Sequence, residues 1–291
     1  MLERLLGIIL PVFAVVALGW FWGRRTQPDM AIVNRLSMNV LAPALIFSAL
    51  SSKSFDLWDN RLLILGSIGI VLGSGLPACA FAELLHEDHR PFGPPTMFNN
   101  CGTLALPLAV LAFGDAGFAA MVALFTISNL LHFTLGAWLI DHHAKFGNLL
   151  RNPMVWSTVA GFAFAVFHPP MPEVAAVTLK LVGDAMIPLM LLSLGVRMTA
   201  IRWSDTRLGV IGGLVCPLTG LACAGLLAPV LGLDKLQTGL LFLFGCLPPA
   251  VLNFMVAEQY RQEPGKVASI VLIGNMMSVV FVPIGLALAL R

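Results

Sequence analysis

Apolar residues run along this chain in long blocks, each close to the roughly 20 residues that an α-helix needs to cross a bilayer core. Charged or proline-rich breaks separate them. The pattern predicts ten membrane-spanning helices at about 5–23, 33–50, 62–85, 97–114, 118–140, 153–168, 174–196, 208–231, 236–258 and 267–290. The third and fourth are joined by the polar stretch HEDHRPFGPP. The first block resembles a secretory leader in its apolar run. Its charge pair, Arg24 and Arg25, follows the run instead of preceding it, and no small-x-small cleavage site comes after, so it is read as a retained first span.

Composition narrows the class. The 291 residues are 58% apolar and 11% charged, with a mean hydropathy of +0.89, more apolar surface than a soluble domain requires. A net charge of +2 and the lack of a basic tract argue against a nucleic-acid partner. Cys79, Cys101, Cys216, Cys223 and Cys246 fall inside apolar runs without metal-ligand spacing and read as buried structural thiols, not as a disulfide framework. Loops after odd-numbered spans hold Arg24, Arg25, Arg35, Arg90, Lys145, Arg151, Arg197, Arg202, Arg207, Arg261 and Lys266. The opposite side holds Arg4, Lys53, Arg61, Lys180, Lys235 and Arg291. The excess marks the cytoplasmic face and places both termini outside it.

The two halves echo each other. Asn39, Pro43 and Ser48 in the second span recur at the same spacing as Asp184, Pro188 and Ser193 in the seventh. Pro107 in the fourth matches Pro248 in the ninth, and Asn129 in the fifth matches Asn275 in the tenth, each shifted by about half the chain. Five spans per half is an odd number, so the copies sit in opposite orientations. The expected architecture is therefore an all-α membrane fold of two inverted five-helix repeats, residues 1–140 and 153–291, joined by a cytoplasmic linker over 141–152. Secondary transporters are built this way, with the binding site at the repeat interface near the midplane.

Two spans are interrupted at matching places. The fourth carries Asn99, Asn100, Gly102, Thr103 and Pro107; the ninth carries Gly245, Pro248, Pro249 and Asn253. An interior proline costs a helix about 3 kcal/mol or more. Backbone groups freed in hydrocarbon cost several kcal/mol each unless protein or a cavity receives them. Single prolines such as Pro11, Pro77, Pro217 and Pro283 read as kinks, but the matched pair reads as true breaks. Facing each other, the breaks place four half-helix ends near the midplane. Amide-bearing N-termini and the side chains of Asn99, Asn100 and Asn253 can hold a carboxylate there. No Lys or Arg stands central in any span, so the anion is expected to have no buried counter-charge.

Neighbouring spans add candidates. Ser128, Asn129 and His132 share one face of the fifth span by i, i+3 and i+4 spacing. They read either as a polar cavity wall, with His132 as a proton carrier, or as interhelical glue. Asp184, one turn before Pro188, reads either as a coupling acid or as an interfacial partner of Lys180. Asn275 is a third coupling candidate. Gly69 and Gly73 read as a packing seam, and the methionine-rich seventh span as core lining that in part reaches the substrate.

The stretches FNNCGTLALPLAVLAFG, LPPAVLNFMVAEQYRQEP and SNLLHFTLG, in their order and spacing along the chain, resemble the auxin efflux carrier family over essentially the whole chain. The resemblance implies a ten-helix inverted-repeat fold related to the bile-acid/sodium symporters, with helices four and nine crossing at the site. It implies elevator-like transport of a small organic anion such as malonate or malate across the bacterial inner membrane, and a homodimer. Asn100 and the polar part of the fifth helix match the family's substrate-contacting region, and Pro107 and Pro248 its crossover prolines. The long cytoplasmic loop of the plant members is absent, and Asn253 stands where they are apolar, which argues against auxin as substrate. No cofactor or metal is implied; the coupling ion is H+ or Na+. A sodium symporter of the bile-acid type is the alternative, although a cluster of acids on the crossover helices is missing. An intramembrane enzyme lacks a midspan HExxH, Ser/Lys or paired-Asp arrangement, and a channel lacks a charged pore ring.

Overall fold

The computed structural model describes residues 2–142, 152–199 and 205–290, and among these every regular element is a helix. In chain order they are α1 (Leu2–Thr26), α2 (Ala31–Leu50), α3 (Arg61–Leu85), α4 (His89–Met97), α5 (101–113), α6 (115–140), α7 (Pro153–Phe167), α8 (Glu173–Met198), α9 (Thr206–Val230), α10 (Lys235–Gly245), α11 (Leu252–Gln259) and α12 (Pro264–Ala289). Seven helical runs among the described residues are long and apolar enough to cross a membrane; one of them, Cys101–Ile140, contains both α5 and α6. Those two part at Gly114, whose φ of 70° and ψ of −162° belong to a region that only glycine occupies at ease. Most of the linker expected over 141–152 lies outside the described residues.

The expected polar connection before the fourth span is itself helical. Asp88 accepts a hydrogen bond from the Arg90 backbone N–H and caps α4, and Pro91 falls in the first turn, where no helical partner awaits an N–H. Residues 91–97 are buried, so protein and not lipid receives what Pro94 and Pro95 leave unbonded. The fourth span therefore begins at His89, breaks over residues 98–100 and resumes as α5. The ninth divides likewise into α10 and α11 around residues 246–251.

The helices make close pairs: α1 with α8, α2 with α7, α3 with α9, and α9 with α12. Between α1 and α8 the backbones touch. A side chain on Gly19 would overlap the Leu192 carbonyl, and one on Gly195 the Val16 carbonyl. Gly69 and Gly73 do form a seam, against Leu227 and Cys223 of α9. All five cysteines are free; Cys101, Cys216 and Cys246 are buried, whereas Cys79 is exposed and Cys223 half-buried, so the expectation of five buried thiols is corrected. Large apolar side chains cover the outer surface, including Leu76, Leu84, Phe167, Val174 and Val230, each more than 70% exposed. Such a girdle is stable only in lipid.

Candidate functional site

The two breaks meet. Phe98–Asn100 and Pro248–Ala250 run antiparallel past each other, with one isolated bridge at Asn99 and Pro249. The Asn100 N–H donates to the Pro248 carbonyl (2.7 Å), and the Ala250 N–H donates to the Phe98 carbonyl (2.9 Å). Laying 98–100 onto 248–250, and the reverse, turns one bond into the other. The two triplets thus pair as equals across the crossing. Pro107 lies inside α5, where a π-helical turn over Cys101–Ala105 passes into α-helix, and the chain opens at 98–100 instead. The break in the fourth span comes from Asn99 and Asn100 pairing with the ninth.

The asparagines repair what the prolines remove. A helical N–H at position 248 would bond the Phe244 carbonyl. Pro248 has none, and the Asn99 side-chain amide donates to that carbonyl instead (2.6 Å). Asn253 Nδ2 donates to the carbonyls of Phe98 and Ala250 (both 3.0 Å), and Asn275 Nδ2 to those of Pro249 (2.9 Å) and Val271 (2.8 Å). Asn100 Nδ2 donates to Asn275 Oδ1 (2.8 Å). Asn99, Asn100 and Asn253 were expected to offer these donors to a ligand, and Asn275 to serve coupling; the amide groups hold the crossing. Asn99 Oδ1, Asn253 Oδ1 and His132 Nε2 are buried with no hydrogen-bond partner among the described residues. The His132 ring lies flat on Phe98, 4.3 Å between centroids and 6° between planes.

A cavity of about 90 Å³ opens beside the crossing. Asn99, Asn100, Gly102, Thr103, Ser128, Asn129 and His132 line it, as the sequence suggested; Pro107, Pro248, Pro249, Asn253, Asn275 and Asp184 do not. Asp184 is half exposed and pairs with Lys180 at 3.3 Å, in line with the interfacial reading of the two given above. Gly102 makes room for a side chain, not for a backbone: an added Cβ would stand 2.5 Å from the Phe125 ring. Residues 101–103 at the start of α5 and 251–252 at the start of α11 both face the cavity, so two half-helix N-termini converge on it.

The methionine-rich seventh span reaches the cavity as expected, through Met186 and Met190, but its other lining residues and those of α2 were missed. α8 contributes Met186, Met190, Ser193, Leu194 and Arg197, and α2 contributes Asn34 and Met38. Ser193 Oγ donates to Asn34 Oδ1 (3.3 Å). Arg197 corrects the expectation that no cation faces the site. It was assigned to a loop, yet it lies in the last turn of α8. The spacing 186, 190, 193, 197 puts it on the helical face of the methionines, a signal present in the sequence.

Long apolar helices around a buried crossing of broken helices define a multi-pass membrane protein, and its relatives are named as transporters, not as enzymes. The profile of the family described as membrane transport protein matches residues 145–286, the second half. Similarity to single proteins extends over nearly the full length. An "Uncharacterized transporter" of Methanothermobacter thermautotrophicus is 25% identical across 95% of each chain. A "Putative malonate transporter" of Rhizobium meliloti is 24% identical across 96% of this chain and 93% of its own. The "Uncharacterized transporter YfdV" of Escherichia coli is 22% identical across 90% of both. The second half of the chain thus resembles the membrane transport protein family, and the relatives matched over nearly the whole chain are named as transporters.

Proposed function

We propose that the protein is a secondary transporter of a small organic anion, bound beside the crossing of the fourth and ninth spans and moved by elevator-like alternating access. The observation that carries this is the convergence of two half-helix N-termini on one cavity. Free N–H groups and positive dipole ends favour a carboxylate there, by about 0.3–1 kcal/mol per helix and up to about 2 kcal/mol in buried geometries. Thr103, Ser128 and Asn129 add side-chain donors along the wall. The similarity to a protein named for malonate agrees with a carboxylate substrate.

The transport unit is read as ten spans in two inverted repeats, with 141–152 between them and both termini on the non-cytoplasmic side. One feature supports that reading: each half of the chain contributes one break, and the two breaks run antiparallel past each other. His132 is the candidate for proton coupling: its Nε2 is buried without a partner, beside a cavity wall.

Uptake into proteoliposomes of labelled mono- and dicarboxylates, with imposed pH or sodium gradients, tests the proposal. Saturable uptake of at least one carboxylate is expected, and Asn129→Ala should raise its half-saturation concentration about tenfold, equivalent to about 1.4 kcal/mol. His132→Gln should abolish stimulation by a pH gradient. If no carboxylate enters, the reading is wrong.

A further inference from the structure

The crossing cavity has neighbours on either side. A cavity of about 430 Å³ lies between the end of α8, α11 and the start of α12, lined by residues that include Arg197, Val251, Phe254, Glu258 and Ser269. Arg197 and Val251 line this space and the crossing cavity alike, so the two adjoin at these residues. A third cavity, about 170 Å³, sits between the end of α2, the start of α6 and α8; it has no lining residue in common with the crossing cavity. The larger cavity borders the site as a vestibule, and Arg197 lines both.

Arg197 is half-buried, and no carboxylate among the described residues lies within ion-pair distance of it. Lys266, the nearby cation at the start of α12, is committed to Glu87 (2.7 Å) and Glu263 (2.9 Å). Glu258 faces the vestibule that Arg197 also lines. A guanidinium offers a planar fork of donors that matches a carboxylate, and it keeps its charge at any physiological pH. Deeper in the same space lie the N-termini of α5 and α11.

We propose that Arg197 anchors one carboxylate of a small dicarboxylate where the vestibule meets the crossing cavity, while the second carboxylate reaches the half-helix N-termini. With no anion present, Glu258 balances the guanidinium. A monocarboxylate occupies only one of the two positions, so the arrangement selects for dianions. This rests on the anion-carrier reading above and names its substrate class.

The test compares uptake of matched dicarboxylates and monocarboxylates by wild-type protein, Arg197→Gln, Arg197→Lys and Glu258→Gln, each first checked for an unchanged melting temperature. Arg197→Gln should raise the half-saturation concentration for the dicarboxylate at least tenfold and erase its preference over the monocarboxylate. Arg197→Lys, which keeps the charge but not the fork, should fall between. Glu258→Gln removes the competing carboxylate and should lower half-saturation at least twofold. If Arg197→Gln does not fold, the other two variants decide. Wild-type preference in both arginine variants, or a loss in Glu258→Gln equal to that in Arg197→Gln, overturns the anchor. A wild-type protein that carries no carboxylate overturns the anion-carrier reading, and the anchor falls with it.

Discussion

Pro248 cannot bond the carbonyl of Phe244, and Asn99 does so from the opposite repeat at 2.6 Å. A buried carbonyl left without a donor costs about 1–3 kcal/mol. Asn99→Ala should therefore lower the melting temperature of the purified protein by that equivalent, whatever it does to transport. Asn129→Ala, on the cavity wall with no bond to the crossing, should leave melting unchanged and weaken transport. The pair separates repair of the backbone from contact with substrate. The sequence already announced that amides and prolines meet in midspan, because lipid makes both expensive. It could not say which amide serves which carbonyl, since that depends on how two stretches from opposite halves of the chain are aligned.

At the scale of elements, interruption was legible and its position less so. Pro107 looked like the cause of the fourth span's break because interior prolines disrupt helices; it stands inside α5, and the chain opens at 98–100 instead. The stretch HEDHRPFGPP looked like a loop because its three prolines and charges lack helical periodicity, yet the Asp88 cap and burial within the protein make it a helix. Arg197 was read as a loop cation on charge alone, although its spacing from Met186, Met190 and Ser193 already placed it on the cavity face. Gly114 ends α5 and starts α6 in one residue, through a backbone conformation that side chains avoid and with no neighbour within 4 Å of an added Cβ. Gly114→Ala should destabilise by about 1–3 kcal/mol through strain alone, visible as a lower melting temperature. Alanine at Gly7, a helical position equally free of neighbours, should have no such effect.

Across the whole molecule, the internal echo was legible because both copies meet the same problem in the same solvent. Asn129 lines the cavity wall, whereas Asn275, matched with it in that echo, bonds the carbonyl of Pro249, so equal spacing along the chain does not bring equal roles. The cavity at Arg197 borders the site. A thiol introduced as Ser269→Cys, in a background without the five native cysteines, should react from the cytoplasmic side of oriented vesicles, and one introduced as Ser48→Cys from the other. Reaction of both from one side would contradict the inverted arrangement.

The proposed mechanism requires that the transported anion rest beside the crossing. Thr103→Cys in the same cysteine-free background places a thiol at the start of α5, on the cavity wall. Its rate of alkylation is then measured in proteoliposomes with and without a carboxylate that the protein carries. The anion should slow the reaction in proportion to its occupancy of the transport site, with half-protection at the half-saturation concentration for uptake. A transported anion that leaves the rate unchanged would contradict binding at the crossing.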